Sequence, residues 1–137
     1  MAWLLDTNAW IGFLKPAQPN GRAIAERLAA LQENDILLCS IVKAELWHGA
    51  EKFGNREARL AKLAEIFARY ASLPFEDAAA RCYATIRHDL ETRGQIIGPN
   101  DLNIAAICQT YGLTLVSSNT HEFGRVTGLA VEDWTKP

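Results

Sequence analysis

The sequence predicts an α/β protein of three layers, α/β/α, in which a parallel sheet of about five strands lies between helices. Two observations carry that expectation. The first is a set of short apolar runs without polar alternation, of which Ala2-Trp3-Leu4-Leu5 and Ile36-Leu37-Leu38-Cys39 are the clearest. A strand of that kind is covered on both faces, as in the middle of a parallel sheet. The second is the polar switch at the end of each run, Asp6-Thr7-Asn8 or Ser40, leading into helical periodicity. Strands alternating with helices imply right-handed crossovers and hence parallel pairing. Residues 1–137 contain no internal repeat or linker-like tract, and read as one domain large enough to bury a core without disulfides or a structural metal.

Taken in order, the first strand hands over to a helical segment from Ala9 to Lys15 that stops at Pro16. After a loop through Pro19-Asn20-Gly21, a second helix is expected over Arg22–Glu33, because Ile24, Leu28 and Leu31 recur at helical spacing. Asn34-Asp35 breaks it. The strand Ile36–Cys39 then meets Ser40, a good N-cap for a helix over Ile41–Lys52. Gly54-Asn55 separates that helix from one whose Leu60, Leu63, Phe67 and Tyr70 form an apolar stripe opposite a charged face. Leu73-Pro74-Phe75 is the weakest strand, since proline cannot donate to a ladder. Asp77 caps a long helix through Arg93, and Gly94 closes it. A helix over Leu102–Tyr111 ends at Gly112; Thr114–Ser117 is the fourth strand, Asn119–Phe123 a turn or short helix, and Leu129–Val131 the fifth strand.

Composition narrows the function classes. With 49% apolar and 22% charged residues the chain has the balance of a globular protein. No run approaches the ~20 apolar residues of a membrane span. The N-terminus lacks the basic start and long apolar stretch of a secretory signal, so a cytoplasmic location is expected. Cys39, Cys82 and Cys108 are odd in number and embedded in apolar sequence, which reads as reduced core thiols. A net charge of −2 argues against a protein that holds nucleic acid through its phosphates alone. It leaves open an acidic site bridged to phosphate by a divalent cation.

Three carboxylates stand apart from the solvated charge of the helices. Asp6 ends an apolar strand, and in open α/β sheets the ligand crevice lies beyond the carboxyl ends of such strands. Capping of the next helix is the plainer alternative. Glu45 shares its helix face with Ile41, Val42 and Gly49, so it either reaches solvent at the edge of that face or meets a cation. Asp101 comes just after Gly98-Pro99 at a helix start, where its ionised form is favoured, and where capping is again an alternative. Clustered carboxylates repel unless a cation lies between them, and oxygen ligands select Mg²⁺ or Mn²⁺. Such a site polarises a phosphoryl oxygen and activates water.

The ordered series Leu4-Leu5-Asp6-Thr7-Asn8, Ser40 with Ala44-Glu45-Leu46, Pro99-Asn100-Asp101 with Ile104-Ala105-Ala106, and Leu115-Val116-Ser117-Ser118-Asn119 with Glu122-Phe123, Val131 and Trp134 resembles a PIN-domain ribonuclease of the VapC toxin type. The resemblance spans nearly the whole chain. It implies a five-stranded parallel sheet, metal-dependent endoribonuclease activity on structured RNA such as tRNA or ribosomal RNA, and inhibition by a VapB-type antitoxin. It carries the acidic metal-binding and catalytic positions onto Asp6, Glu45 and Asp101, with Mg²⁺ as cofactor and Mn²⁺ as its substitute. The family frequently has a further acid after the fourth strand; here Asn119 stands in its place as a water-orienting group, and Ser117 replaces a common threonine. Thr7, Asn8 and Ser40 would support the acids from behind. A homodimer is also implied.

Other readings have less behind them. Glu45 and His48 form a Glu-x-x-His pair of the di-iron kind, but no second pair exists, so His48, His88 and His121 read as surface or packing residues. A haloacid-dehalogenase-like phosphatase would carry a second Asp where Asn8 stands. The alternative from another class is a non-catalytic PIN-like module that binds RNA or protein. Trp10, Phe13 and Leu14 cannot all face inward on one short helix, which leaves either apolar surface for a partner or a satellite core beneath Pro16–Gly21.

Overall fold

The centre of the molecule is β1 (Trp3–Leu5), flanked on both sides by parallel neighbours. A computed structural model describes residues 1–136. The strands β2 (Ile36–Cys39), β3 (Ala71–Leu73), β4 (Thr114–Val116) and β5 (Val131–Glu132) complete a parallel sheet of order β3-β2-β1-β4-β5. Leu4 pairs with Leu37 on one side and Leu115 on the other. Helices α1 (Thr7–Phe13), α2 (Pro19–Ala29), α3 (Ser40–Lys52), α4 (Arg56–Arg69), α5 (Asp77–Thr92), α6 (Pro99–Tyr111) and α7 (Thr120–Phe123) surround it. Leu4, Leu5, Leu38 and Leu115 are fully buried, as their unbroken apolar runs require. Among the described residues no helix is long and apolar enough to cross a membrane.

The chain order matters for the site. From β1 the sheet grows to β2 and β3 on one side, and only then to β4 and β5 on the other, so the direction of winding reverses between β1 and β4. A crevice opens beyond the carboxyl ends of strands at such a point. Asp6 leaves β1 there, and Ser117 leaves β4 beside it; the Asp6 N–H donates to the Val116 carbonyl (3.0 Å).

Several boundaries differ from those the sequence predicts. Helix α1 begins at Thr7, not Ala9, because Asp6 Oδ1 accepts the Ala9 N–H (2.8 Å) and starts the helix at once. Pro19 occupies the first turn of α2, which then ends at Ala29; Glu33–Asp35 forms a separate 3₁₀ turn. Cys39 and Glu76, not Ser40 and Asp77, are the caps of α3 and α5. The third strand is Ala71–Leu73, stopping just before Pro74, and it lies at the sheet edge. Helix α6 starts at Pro99, so Asp101 lies within its first turn. Ser117 falls just past β4, although its N–H still donates to the Glu132 carbonyl (2.9 Å), and β5 is Val131–Glu132.

The packing of α1 also resolves. Trp10 is fully buried against Phe13 and Tyr70, with ring centroids 5.7 and 5.3 Å away, while Phe13 and Leu14 are half-buried against the same core. The more exposed aromatic groups lie elsewhere: Trp47 on α3, Phe53 just beyond it, and Tyr111 at the end of α6. Cys39 and Cys108 are buried and Cys82 half-buried, all as free thiols. His48, His88 and His121 are exposed.

Candidate active site

Each acid reaches the crevice from a different element. Asp6 is delivered by β1, Glu45 by the middle of α3, Asp101 by the first turn of α6, and Glu122 by α7. Asp6 is buried at the carboxyl end of β1, where its Oδ1 caps α1 by accepting the Ala9 N–H. Burial raises its pKa; the Ser117 hydroxyl and the Ala9 N–H pull it back, and the charges of Glu45 and Asp133 push it further up.

Glu45 is held at both oxygens. The Thr7 hydroxyl donates to Oε1 (2.6 Å) and the Asn100 amide donates to Oε2 (3.3 Å). Because Thr7 comes directly after Asp6 and Asn100 directly before Asp101, these two bonds tie α3 to the segments carrying the other two acids. Asp101 is half-buried, and its pKa is pushed up to about 6, first by burial and then by the charges of Glu122, Glu45 and Asp6. That carboxyl senses all three of the other acids, which defines a shared electrostatic environment.

Glu122 is the acid that the sequence alone does not single out, because Asn119 there reads as a neutral replacement for a fourth carboxylate. The Asn119 amide instead donates to Glu122 Oε2 (3.2 Å), while its backbone N–H donates to Ser117 Oγ (2.9 Å). The pair forms one unit in which the amide steers a carboxylate three residues further on. The available signal is Asn-x-x-Glu, the spacing of a residue at a helix start and one a turn later. Asp133, just past β5, adds negative charge near Asp6; its Oδ1 accepts the Thr135 N–H (2.9 Å) and hydroxyl. Of the remaining expected groups, Ser40 donates to the Leu73 carbonyl (3.2 Å), joining the start of α3 to β3, and Asn8 is exposed at the crevice mouth.

Among the described residues no three acids stand close enough to cage an ion among themselves. The donor set nevertheless fits a hard divalent cation. All of its donors are oxygens, the kind Mg²⁺ and Mn²⁺ prefer, and Asp101, raised first by burial, is raised further by the charges of three other acids.

A parallel sheet whose winding reverses beside a carboxylate-lined crevice defines the class: a three-layer α/β protein with an acidic site at the sheet's carboxyl edge. Within that class the chain belongs to the PIN-domain family, whose model matches residues 3–129. It is 35% identical over 136 residues to ribonuclease VapC2 of Haemophilus influenzae, covering 98% of each chain. It is also 35% identical over 135 residues to the tRNA(fMet)-specific endonuclease VapC of Shigella flexneri, covering 98% of this chain and 99% of that one. Among solved structures, VapBC2 from Rickettsia felis, bound to a DNA fragment from its promoter, superposes with a TM-score of 0.89 at 32% identity, over 98% of this chain and 99% of that one.

Proposed function

We infer that this chain is a ribonuclease of the VapC type, the toxin half of a VapBC toxin–antitoxin pair, and that it cuts RNA internally by metal-dependent hydrolysis of phosphodiester bonds. The observation that carries the chemistry is Asp101: a half-buried carboxyl raised to about 6 by burial and by three other acids arriving from separate elements. A divalent cation among them would offset the repulsion that this gathering of acids creates. Near-full-length identity to ribonucleases VapC supports RNA as substrate, and one relative's tRNA specificity supports tRNA or another structured RNA.

Asp6, Glu45 and Asp101 hold a divalent ion, Mg²⁺ with Mn²⁺ as its substitute, which when bound supplies charge neutralisation at the phosphate and a water of lowered pKa. Thr7 and Asn100 fix the Glu45 carboxylate, one at each oxygen. Ser117 favours the charged form of Asp6, and Asn119 donates to Glu122. One of the acids accepts the proton of the attacking water. Residues 1–137 act as a single PIN domain in the cytoplasm, as a homodimer restrained by a VapB-type antitoxin; the VapBC complexes among its structural relatives support that partner.

The test is cleavage of total RNA with Mg²⁺ or Mn²⁺ by the wild-type protein and by Asp6→Asn. Cleavage should fall roughly a thousandfold in the variant and stop in EDTA. Cleavage that survives both would place the activity in another site, and RNA binding with no cleavage by the wild type would make the chain a non-catalytic PIN-like module.

A further inference from the structure

Beside the acids, the carboxyl edge of the sheet opens into a cleft of about 180 Å³. Its inner end adjoins the acid crevice, since it is lined by Asn8, two residues past Asp6, by Ser117, next to the Val116 carbonyl that accepts the Asp6 N–H, and by Asp133, whose charge acts on Asp6. From there it runs along α1 outward to Lys15, Gln18 and Asn20. Gly21 permits this shape: a Cβ there would strike the Gly12 and Lys15 carbonyls, so only glycine lets the start of α2 close against the end of α1. None of Lys15, Gln18 and Asn20 takes part in the hydrolytic chemistry, and all three are exposed.

The character of the cleft changes along its length. Ile24, buried, and Gly12 give it an apolar wall, while Gln18 and Asn20 set amide groups along it and Lys15 supplies the single cation among its described lining residues. Its one carboxylate, Asp133, lies near Asp6 and is engaged by Thr135. A planar base needs an apolar surface beneath it and donor and acceptor groups at its edge, and an amide side chain offers one of each. A phosphate needs a cation, and the acid crevice offers none of its own.

We propose that this cleft is a subsite for one unpaired nucleotide flanking the scissile phosphate, with its base on the apolar wall, Gln18 and Asn20 reading its edge, and Lys15 holding a neighbouring phosphate. The subsite rests on the ribonuclease reading of the acids. Lys15 lies nine residues beyond Asp6, two past the end of α1, on the order of 13 Å away by the helical rise. The phosphate it meets is therefore a flanking one, and the acid crevice keeps the scissile one.

The test separates binding from cleavage. In the inactive Asp6→Asn protein, affinity for short fluorescein-labelled RNA homopolymers of A, C and U is read by anisotropy across a salt series. Lys15→Gln should weaken every homopolymer about fivefold and lower the salt slope by about 0.7. The double variant Gln18→Ala, Asn20→Ala should bring the homopolymers to a common affinity, where the parent separates them by about fivefold or more. Unchanged affinities, slope and preference in both variants would overturn the subsite. Cleavage by the wild type, measured alongside, judges the ribonuclease reading separately: intact cleavage with inert variants removes only the subsite, whereas altered binding without cleavage leaves a nucleotide-binding cleft but removes the nuclease and with it the flanking role.

Discussion

At the amino edge of β4 and β5 a hollow of about 460 Å³ is lined by Cys82, Cys108, Gln109, Leu113 and Leu129, whereas the cleft at the carboxyl edge of the same strands measures about 180 Å³. The larger space holds no charge to use. Gln109 donates to the Thr127 carbonyl (2.7 Å) and accepts from the Cys82 thiol (3.7 Å), so its polar atoms satisfy one another. Burial holds the Cys108 thiol protonated. At the smaller edge the acids repel, and no cationic side chain forms an ion pair with Asp6, Glu45, Asp101 or Glu122 among the described residues. Polar groups that satisfy each other make structure; charges left uncompensated make a site for something else.

That contrast can be broken at either edge. The sharpest comparison sets Glu122→Gln against Gln109→Ala, with RNA cleavage as the readout. The first should lower kcat/KM roughly a hundredfold by removing an acid that acts on Asp101, and the second should stay within about twofold although it enlarges the bigger hollow. Equal losses would mean that Glu122 serves only the packing of α7.

A smaller effect is expected behind the acids. Thr7→Val removes the hydroxyl that holds Glu45 Oε1 while keeping the side-chain shape. It should reduce cleavage roughly tenfold, and Thr7→Ser should restore most of it. Mn²⁺ affinity measured by calorimetry should fall in Thr7→Val and recover in Thr7→Ser; a loss of cleavage without a loss of affinity would assign Thr7 to folding alone.

The smallest effect is on stability, read from thermal melts in EDTA. Asp101 binds its proton more tightly in the folded chain than its ordinary 3.8 would allow. Its stabilising share is therefore complete below that value and lost as pH rises through about 6. The metal-free wild type should lose several degrees of Tm across that window relative to Asp101→Asn, and Mn²⁺ at neutral pH should return them. Cys82→Ser, at the opposite edge, should melt in parallel with the wild type.

Much of the fold is legible in the chain because it is local. Leu4-Leu5 and Leu37-Leu38 have no polar alternation, and a strand that cannot show a wet face must be interior. Asp6 is readable for the same reason, since a carboxylate ending such a strand has few other places to go. The boundaries around Pro19 and Pro74 shift because proline decides a helix start or a ladder stop only together with its neighbours. Glu122 stays hidden because its role depends on lying near Asp101 in space, a proximity with no sequence spacing of its own.

By itself the sequence determined the strand and helix pattern, the central position of β1 and the set of acids available, because burial and periodicity are written into consecutive residues. Only the tertiary structure decided which acids share an environment. The reversal of winding between β1 and β4 brings Asp6, Glu45, Asp101 and Glu122 to one edge, and electrostatic coupling depends on distance in space, to which separation along the chain is no guide.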